Sequence, residues 1–561
     1  MLRFIALSAL LASSFGSCDA AKQCKTFPGD KAWPTKSAWK AFNATVGGRL
    51  IETVPLGSPC HGSTYDEATC EYLQSQWQYE EVHYTSSSSI MAPFFANQSC
   101  DPFQPRERPC ELGNYVRYAV DASGAADIQA AVNFASCNNI RLVIRNTGHD
   151  YLGRSTGAGS LAVWTHHLKG IDFIDNYSDS SYKGSAVKLG AGVQGFEIME
   201  AARDKGLVVV GGECPTVGIA GGYTQGGGHS AISTSFGLSA DNVLNWEVVT
   251  ASGKLVNANR TQNSDLYWAL SGGGGSTYGV VVSMTVKTHE DTVFGGATLS
   301  FFTTSNSQDL FYNAIQDFHE ELPAMVDAGT MVVYYFTTSF FMISPINAYN
   351  KTADEVEAIL APFVAKLDAR GVVYNVAYSE FDTYYEHYDQ YFGPLPLGNI
   401  QVGIAQYGAR LIPRDVVANI SDTWQTIVEA GVTWIGVGTN VGSFGSTKTN
   451  SVHPAWRNAI VHTTLTLPWS FTAPWSDAIA TQNKMTNEIM PLIEAATPGS
   501  GSYVNEGDWR QPNWQTTFWG SNYKKLLAIK TKWDPYNFFY ATVGVGSEAW
   551  TVQNDGRLCS A

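Results

Sequence analysis

The segment Val208–Ser230 reads VVVGGECPTVGIAGGYTQGGGHS. A run of valines gives way to glycine, then to a single cysteine, Cys214, then to more glycine. The nearest other cysteines, Cys137 and Cys559, are each more than seventy residues away. Glycine gives up its side chain so that a backbone takes unusual angles or lets something large come close. The stretch therefore predicts a bare-backbone cradle with one thiol in its wall. The competing reading places Cys214 in a disulfide.

The surrounding chain limits what the cradle holds. With 561 residues, 44% of them hydrophobic and 12% aromatic, the sequence is long and apolar enough for more than one packed domain. A formal net charge of −15 argues against nucleic acid and against an anionic membrane surface as partners, since both need clustered Lys and Arg. The start, MLRFIALSALLASSFGSCDAAKQC, has the pattern of a secretory leader, with a cut expected after Ala20. Six Asn-X-Ser/Thr sites, at Asn43, Asn97, Asn176, Asn259, Asn350 and Asn419, agree with a secreted, glycosylated monomer. Past that cut remain Cys24, Cys60, Cys70, Cys100, Cys110, Cys137, Cys214 and Cys559. An oxidising compartment lets them pair. Cys60 with Cys70 and Cys100 with Cys110 are close enough for local bridges, and three bridges can be made without Cys214. Cys137 ends the helical pattern ADIQAAVNFASC and reads as a buried thiol.

The texture of the chain divides it into a leader over residues 1–20, a cystine-tied irregular segment over 21–112, a domain over 113–290, a second domain over 291–500, and a C-terminal return over 501–561. In 113–290, short apolar runs alternate with helical patterns and glycine turns, and VLNWEVVTASGKLVNAN reads as a hairpin turning at Ser252-Gly253. In 291–500, long aromatic and β-branched runs such as TMVVYYFTTSFFMIS lie apart from helical stretches such as ADEVEAILAPFVAKLDARG. That separation predicts an α+β class, with an antiparallel sheet backed by helices. Tyr334, Tyr335 and His462 fall on its expected strands and could face the site. Strand neighbours alternate faces, so Tyr334 and Tyr335 cannot both face a site, and each reads first as core packing.

One motif competes for the fold. Gly190-Ala-Gly192-Val-Gln-Gly195 follows a strand, opens a helix, and has Glu213 about twenty residues on. Alone it reads as a dinucleotide-binding Rossmann turn and an NAD(P) dehydrogenase. It leaves the other glycine-rich segments unexplained, and no series of βα units follows it. A second motif, RNTGHDYLGRS at Arg145–Ser155, runs from a strand into a turn of small and polar residues. Its backbone N–H groups suit an anion nest for a diphosphate. Its His149, lifted out after Gly148, reads either as a reactive imidazole oriented by Asp150 or another carboxylate, or as a loop histidine with a structural hydrogen bond. A third, DLYWALSGGGGSTYGV at Asp265–Val280, again sets bare backbone before a buried strand. No metal centre is expected: His166 and His167 are adjacent and point apart, and neither C-x-x-C nor H-E-x-x-H occurs.

Together these motifs, with YVNE at Tyr503–Glu506 and FWGSNYKKLLAIKTKWDPYNFFY at Phe518–Tyr540, resemble the vanillyl-alcohol-oxidase superfamily in its berberine-bridge-enzyme-like branch. The stretch GHDYLGRSTGAGSLAVWTHHLKGI makes it most similar to fungal isoamyl-alcohol-oxidase-like proteins. The resemblance implies a two-part VAO/PCMH-type FAD-binding domain joined to a substrate domain. It implies an FAD bonded twice, at the 8α-methyl by His149 and at C6 by Cys214. Arg145, Asn146, Thr147, Gly148, Asp150, Gly218, Gly221, Gly222, Gly228 and Val280 would complete the cofactor site. Val217 would sit where the branch gates oxygen, and Tyr503 and Asn505 would act in catalysis. The implied activity is oxidation of a small-molecule alcohol with O2 reduced to H2O2. Oligosaccharide oxidation and oxidative cyclisation on the same scaffold are alternatives, and a secreted binding protein without activity is a remoter one.

Overall fold

The computed structural model describes residues 24–561. The expected leader and its cut after Ala20 lie outside the described residues. Among the described residues no helix is long and apolar enough to cross a membrane.

Three sheets organise the chain. The first has four strands, in the order Leu50–Glu52, Tyr118–Asp121, Leu161–Trp164, Leu142–Arg145. Its last three are mutually parallel, and their near-continuous apolar composition is what a sheet covered on both faces requires. The second has five antiparallel strands, in the order Ile171–Ser178, Lys183–Gly190, Val280–Lys287, Val243–Val249, Leu255–Asn259. The helix Ala125–Cys137 touches both sheets, and its buried face, Ile128, Ala131, Val132 and Ala135, joins their common core. The hairpin expected at Ser252-Gly253 is present, with Gly253 in the left-handed region.

The dinucleotide-fingerprint reading of Gly190, Gly192 and Gly195 is corrected here. The strand ending at Gly190 is antiparallel to both its neighbours, so no parallel βαβ unit exists there. A Cβ at Gly190 would come within 2.2 Å of the Leu168 carbonyl oxygen, and one at Gly192 within 2.1 Å of that of His166. These glycines let two backbones cross.

The third sheet has seven antiparallel strands, in the order Tyr374–Phe381, Phe294–Phe302, Phe340–Tyr349, Met331–Phe336, Thr433–Gly438, Ala459–Pro468, Ala405–Pro413. Helices Gln308–Asp327, Ala353–Arg370 and Ser421–Glu429 cover one face. Period-two alternation then decides the rest. Trp434 points into the helix-backed core, and a Cβ at Gly436 would strike the Tyr334 ring. Ile435 and Val437 consequently point to the other face, toward the first two sheets.

The C-terminal segment returns to the first half. Helix Tyr523–Trp533 packs there through Leu526 and Ile529, and the buried Lys530 ammonium reaches Asp534 and the carbonyls of Thr277 and Phe539. The disulfide Cys24–Cys559 ties the described ends, and Cys60–Cys70 and Cys100–Cys110 are the two local bridges. Cys137, expected to be buried, is exposed, because it falls on the outward side of the last turn of its helix.

Candidate active site

A cavity of about 300 Å³ lies where the three sheets and the C-terminal return meet. The turn after strand Leu142–Arg145 supplies one wall with Asn146, Thr147, Gly148, His149 and Asp150. The glycine-rich segment supplies a second with Glu213, Cys214, Val217, Gly218, Gly221 and Gly222. Tyr407, Ile435, Val437 and Thr464 from the seven-stranded sheet form the roof, and Tyr503, Asn505 and Glu506 close one end. Three expected residues lie elsewhere. Arg145 turns its guanidinium away to donate to the carbonyls of His83, Ser86 and Ser89. Val280 points into the core while Gly279 and Val281 line the cavity. Gly228 sits behind the wall, where its N–H donates to the Tyr503 hydroxyl.

His149 and Cys214, 65 positions apart in the chain, converge on one hydroxyl. His149 Nε2 is 2.7 Å from Thr216 Oγ1, and Cys214 Sγ is 3.5 Å from that same oxygen. With Nε2 engaged, Nδ1 is the imidazole nitrogen left for the cavity. Burial, with the nearby His83 and Arg145, pushes the His149 pKa down to about 3, so the ring is neutral and keeps a lone pair. Burial, with the charge of Glu80, pushes the Cys214 thiol up to about 12. Asp150 is one of the carboxylates expected to orient His149. The Asp150 carboxylate instead accepts from the backbone N–H groups of Leu152, Arg154 and Ser155. It thereby takes up N–H groups of the loop expected to nest a diphosphate, because an acidic side chain at the head of a turn bonds its own backbone first.

The cavity lining also holds a ladder of carboxylates and imidazoles. Glu506 Oε1 is 3.0 Å from His229 Nε2, and Glu506 Oε2 is 2.7 Å from His462 Nε2 and 2.8 Å from Thr464 Oγ1. His229 Nδ1 lies 3.3 Å from Glu213 Oε1. Burial works against the His229 cation, yet the two carboxylates outweigh it and raise its pKa to about 10. The same contacts outweigh burial at Glu506 and hold its carboxyl well below the usual range. The ligand-capable atoms of His229, His462 and Glu506 lie within 4.8 Å of one another; both imidazole Nε2 atoms are already hydrogen-bonded to the Glu506 carboxylate. Beside them the buried Tyr503 hydroxyl accepts from Asn505 Nδ2 at 2.8 Å and from Gly228 N at 3.2 Å. Burial raises the Tyr503 pKa, so it stays a neutral phenol.

His462 lies on a strand that the sequence allows to face the site, while Glu506, His229, Thr216 and Glu80 carry no role legible in the sequence. His229 had a signal, an imidazole directly after a glycine run. Tyr334 is core as expected, bonded to His319, and Tyr335 does not line the cavity.

The walls suit a flat ring with N–H donors. Asn146 Oδ1 and Gln225 Oε1 are buried acceptors without a partner beside the cavity. A Cβ at Gly275 would stand 3.0 Å from Gly222 Cα, so two bare backbones approach there. Two nucleophilic side chains border the same space. These features fit a flavin. Residues 116–259 match the FAD binding domain family and residues 502–546 the berberine and berberine-like family. The chain is 61% identical to the FAD-linked oxidoreductase ZEB1 of Gibberella zeae, over 96% of this chain and 95% of that one. The crystal structure of the VAO-type flavoprotein MtVAO615 from Myceliophthora thermophila C1 superposes with a TM-score of 0.93 at 42% identity, covering 96% of this chain and all of that one. Glucooligosaccharide oxidase from Acremonium strictum, whose structure is described by its 6-S-cysteinyl, 8α-N1-histidyl FAD, shares the fold with a TM-score of 0.63 at 18% identity, covering 77% of this chain and 92% of that one. The chain belongs to the VAO-type, berberine-bridge-enzyme-like family of FAD-linked oxidoreductases.

Proposed function

We propose that the protein is a secreted oxidase that carries FAD bonded to His149 and Cys214 and oxidises the carbinol carbon of a small, largely apolar alcohol. The observation that carries this reading is the convergence of the two nucleophiles on Thr216, at the cavity that the Glu506 ladder also lines. The glucooligosaccharide oxidase named above carries its flavin through the same two residue types. When bound, the flavin supplies the hydride acceptor and passes the electron pair to O2, yielding H2O2.

The polypeptide supplies the rest. Asn146, Gln225 and the glycine segment hold the ring and exclude water. Glu506 accepts the proton of the substrate hydroxyl as the carbinol hydride departs, and His462 Nε2, 2.7 Å away, donates to the carboxylate and holds it in place. The His229 cation keeps Glu506 ionised. Tyr503, with its own proton, donates toward the substrate oxygen. Ile435, Val437, Val402 and Ile400 give the roof an apolar lining, which favours a hydrophobic alcohol over a sugar. Val217 in the wall leaves room for O2.

Yellow colour that survives denaturation, together with flavin mass on the peptides carrying His149 and Cys214, is the expected result. An H2O2-release screen over alcohols and sugars then assigns the substrate class. Colour lost on denaturation would remove the covalent attachment from this reading.

A further inference from the structure

Glu80 has no place in the redox chemistry just described. It belongs to the N-terminal segment, between the Cys60–Cys70 and Cys100–Cys110 bridges, and is only 1% exposed. It does not line the cavity, so no substrate reaches it. What it touches is the thiol: Cys214 Sγ donates to Glu80 Oε1 at 3.8 Å, across 134 positions of sequence. A buried carboxylate without a cation against it is costly to keep. Burial raises the Glu80 pKa to about 7, which poises it between acceptor and acid at neutral pH. The thiol beside it does not ionise unaided, since a pKa of about 12 leaves roughly one thiolate in 10⁵ at pH 7.

We propose that Glu80 is the base that takes the Cys214 proton when the thioether to the flavin forms, and that Thr216 positions both anchoring side chains for their bonds. This rests on the double attachment proposed above. In the step, the S–H bond breaks and its proton goes to Glu80 Oε1. Cys214 Sγ forms a bond to ring carbon C6, and the hydrogen on C6 leaves as a proton to solvent. The electron pair left in the ring is carried off by O2, which takes up two protons, equal in number to those released from sulfur and C6, and becomes H2O2. Thr216 Oγ1, 2.7 Å from His149 Nε2 and 3.5 Å from Cys214 Sγ, fixes which imidazole nitrogen faces the ring and on which side the sulfur stands.

The test compares wild-type protein with Glu80→Gln, which keeps shape and removes the base, by mass of the two flavin-bearing peptides during attachment of FAD. Wild type is expected to carry flavin at both residues. Glu80→Gln is expected to keep the His149 bond and to form the Cys214 bond about 100-fold more slowly or not at all, the usual scale for loss of a general base. Should that variant not fold, Glu80→Asp, which holds the charge one methylene further off, is expected to show the same selective slowing in milder form. Equal attachment at Cys214 in wild type and variant would overturn the role of Glu80 while leaving double attachment standing. Loss of both bonds in Glu80→Gln and Glu80→Asp alike would make Glu80 a folding residue and overturn it too. A wild-type Cys214 peptide without flavin would sink double attachment itself, and this step with it.

Discussion

His229 decides the electrical state of the site. It lies buried between Glu213 and Glu506, and those carboxylates raise its pKa from 6.5 to about 10. A raised folded-state pKa contributes stability that is complete below pH 6.5 and is lost as pH climbs through about 10. Glu506 is depressed from 4.5, so its share is complete above pH 4.5 and is lost as pH falls through its folded value. Replacing His229 by Asn is therefore expected to cost about 3–5 kcal/mol, as removal of one member of a buried ion pair does. The deficit in melting temperature should be widest between pH 4.5 and 6.5 and should shrink toward pH 10. The same substitution withdraws the cation that favours the Glu506 anion. The acid limb of flavin reduction by substrate should then move to higher pH. A limb that does not move would leave Glu506 out of the proton transfer. Tyr503→Phe keeps the ring and deletes the donor; reduction by substrate is expected to slow about 10²-fold, measured by stopped-flow absorbance of the flavin.

At the scale of elements, the helix Tyr523–Trp533 holds the glycine loop that forms part of the cavity. Its Lys530 binds Asp534 and reaches across to the carbonyl of Thr277, two residues past Gly275. Burial lowers the Lys530 pKa, and Asp534 and the carbonyls retain the charge. Lys530→Ala leaves Asp534 buried and uncompensated, a loss of about 3–5 kcal/mol. Local opening of the loop at Gly272–Gly275 should accompany it, read as faster amide exchange there. Strand alternation sets the opposite wall: Ile435 and Val437 reach the cavity because Trp434 and Gly436 face the helices. A one-residue slip of strand Thr433–Gly438 would exchange core for site.

Across the whole molecule, the Cys24–Cys559 bridge closes a loop of 535 residues. Replacing both cysteines by Ser is expected to lower stability by about 2–5 kcal/mol, seen as a lower guanidinium midpoint with the cofactor site otherwise intact. The amino-acid sequence by itself determined the cradle: glycine at Gly218, Gly221 and Gly222, the imidazole after Gly148, and a thiol far from any other. Local chemistry fixes such features, since only a residue without Cβ admits a close backbone and only certain side chains are nucleophiles. It also determined the α+β alternation, because hydrophobic period is a local property. Tertiary structure alone decided which polar groups meet. Glu80 stands 134 positions from Cys214 and Glu506 stands 277 from His229, and nothing in the spacing of residues fixes a contact at that range. It also decided that Asp150 serves its own turn, that Arg145 faces away, and that Gly190 and Gly192 are crossings of backbone. In each case short-range hydrogen bonding or backbone approach competed with the role the motif suggested, and the folded chain brought the nearer partner.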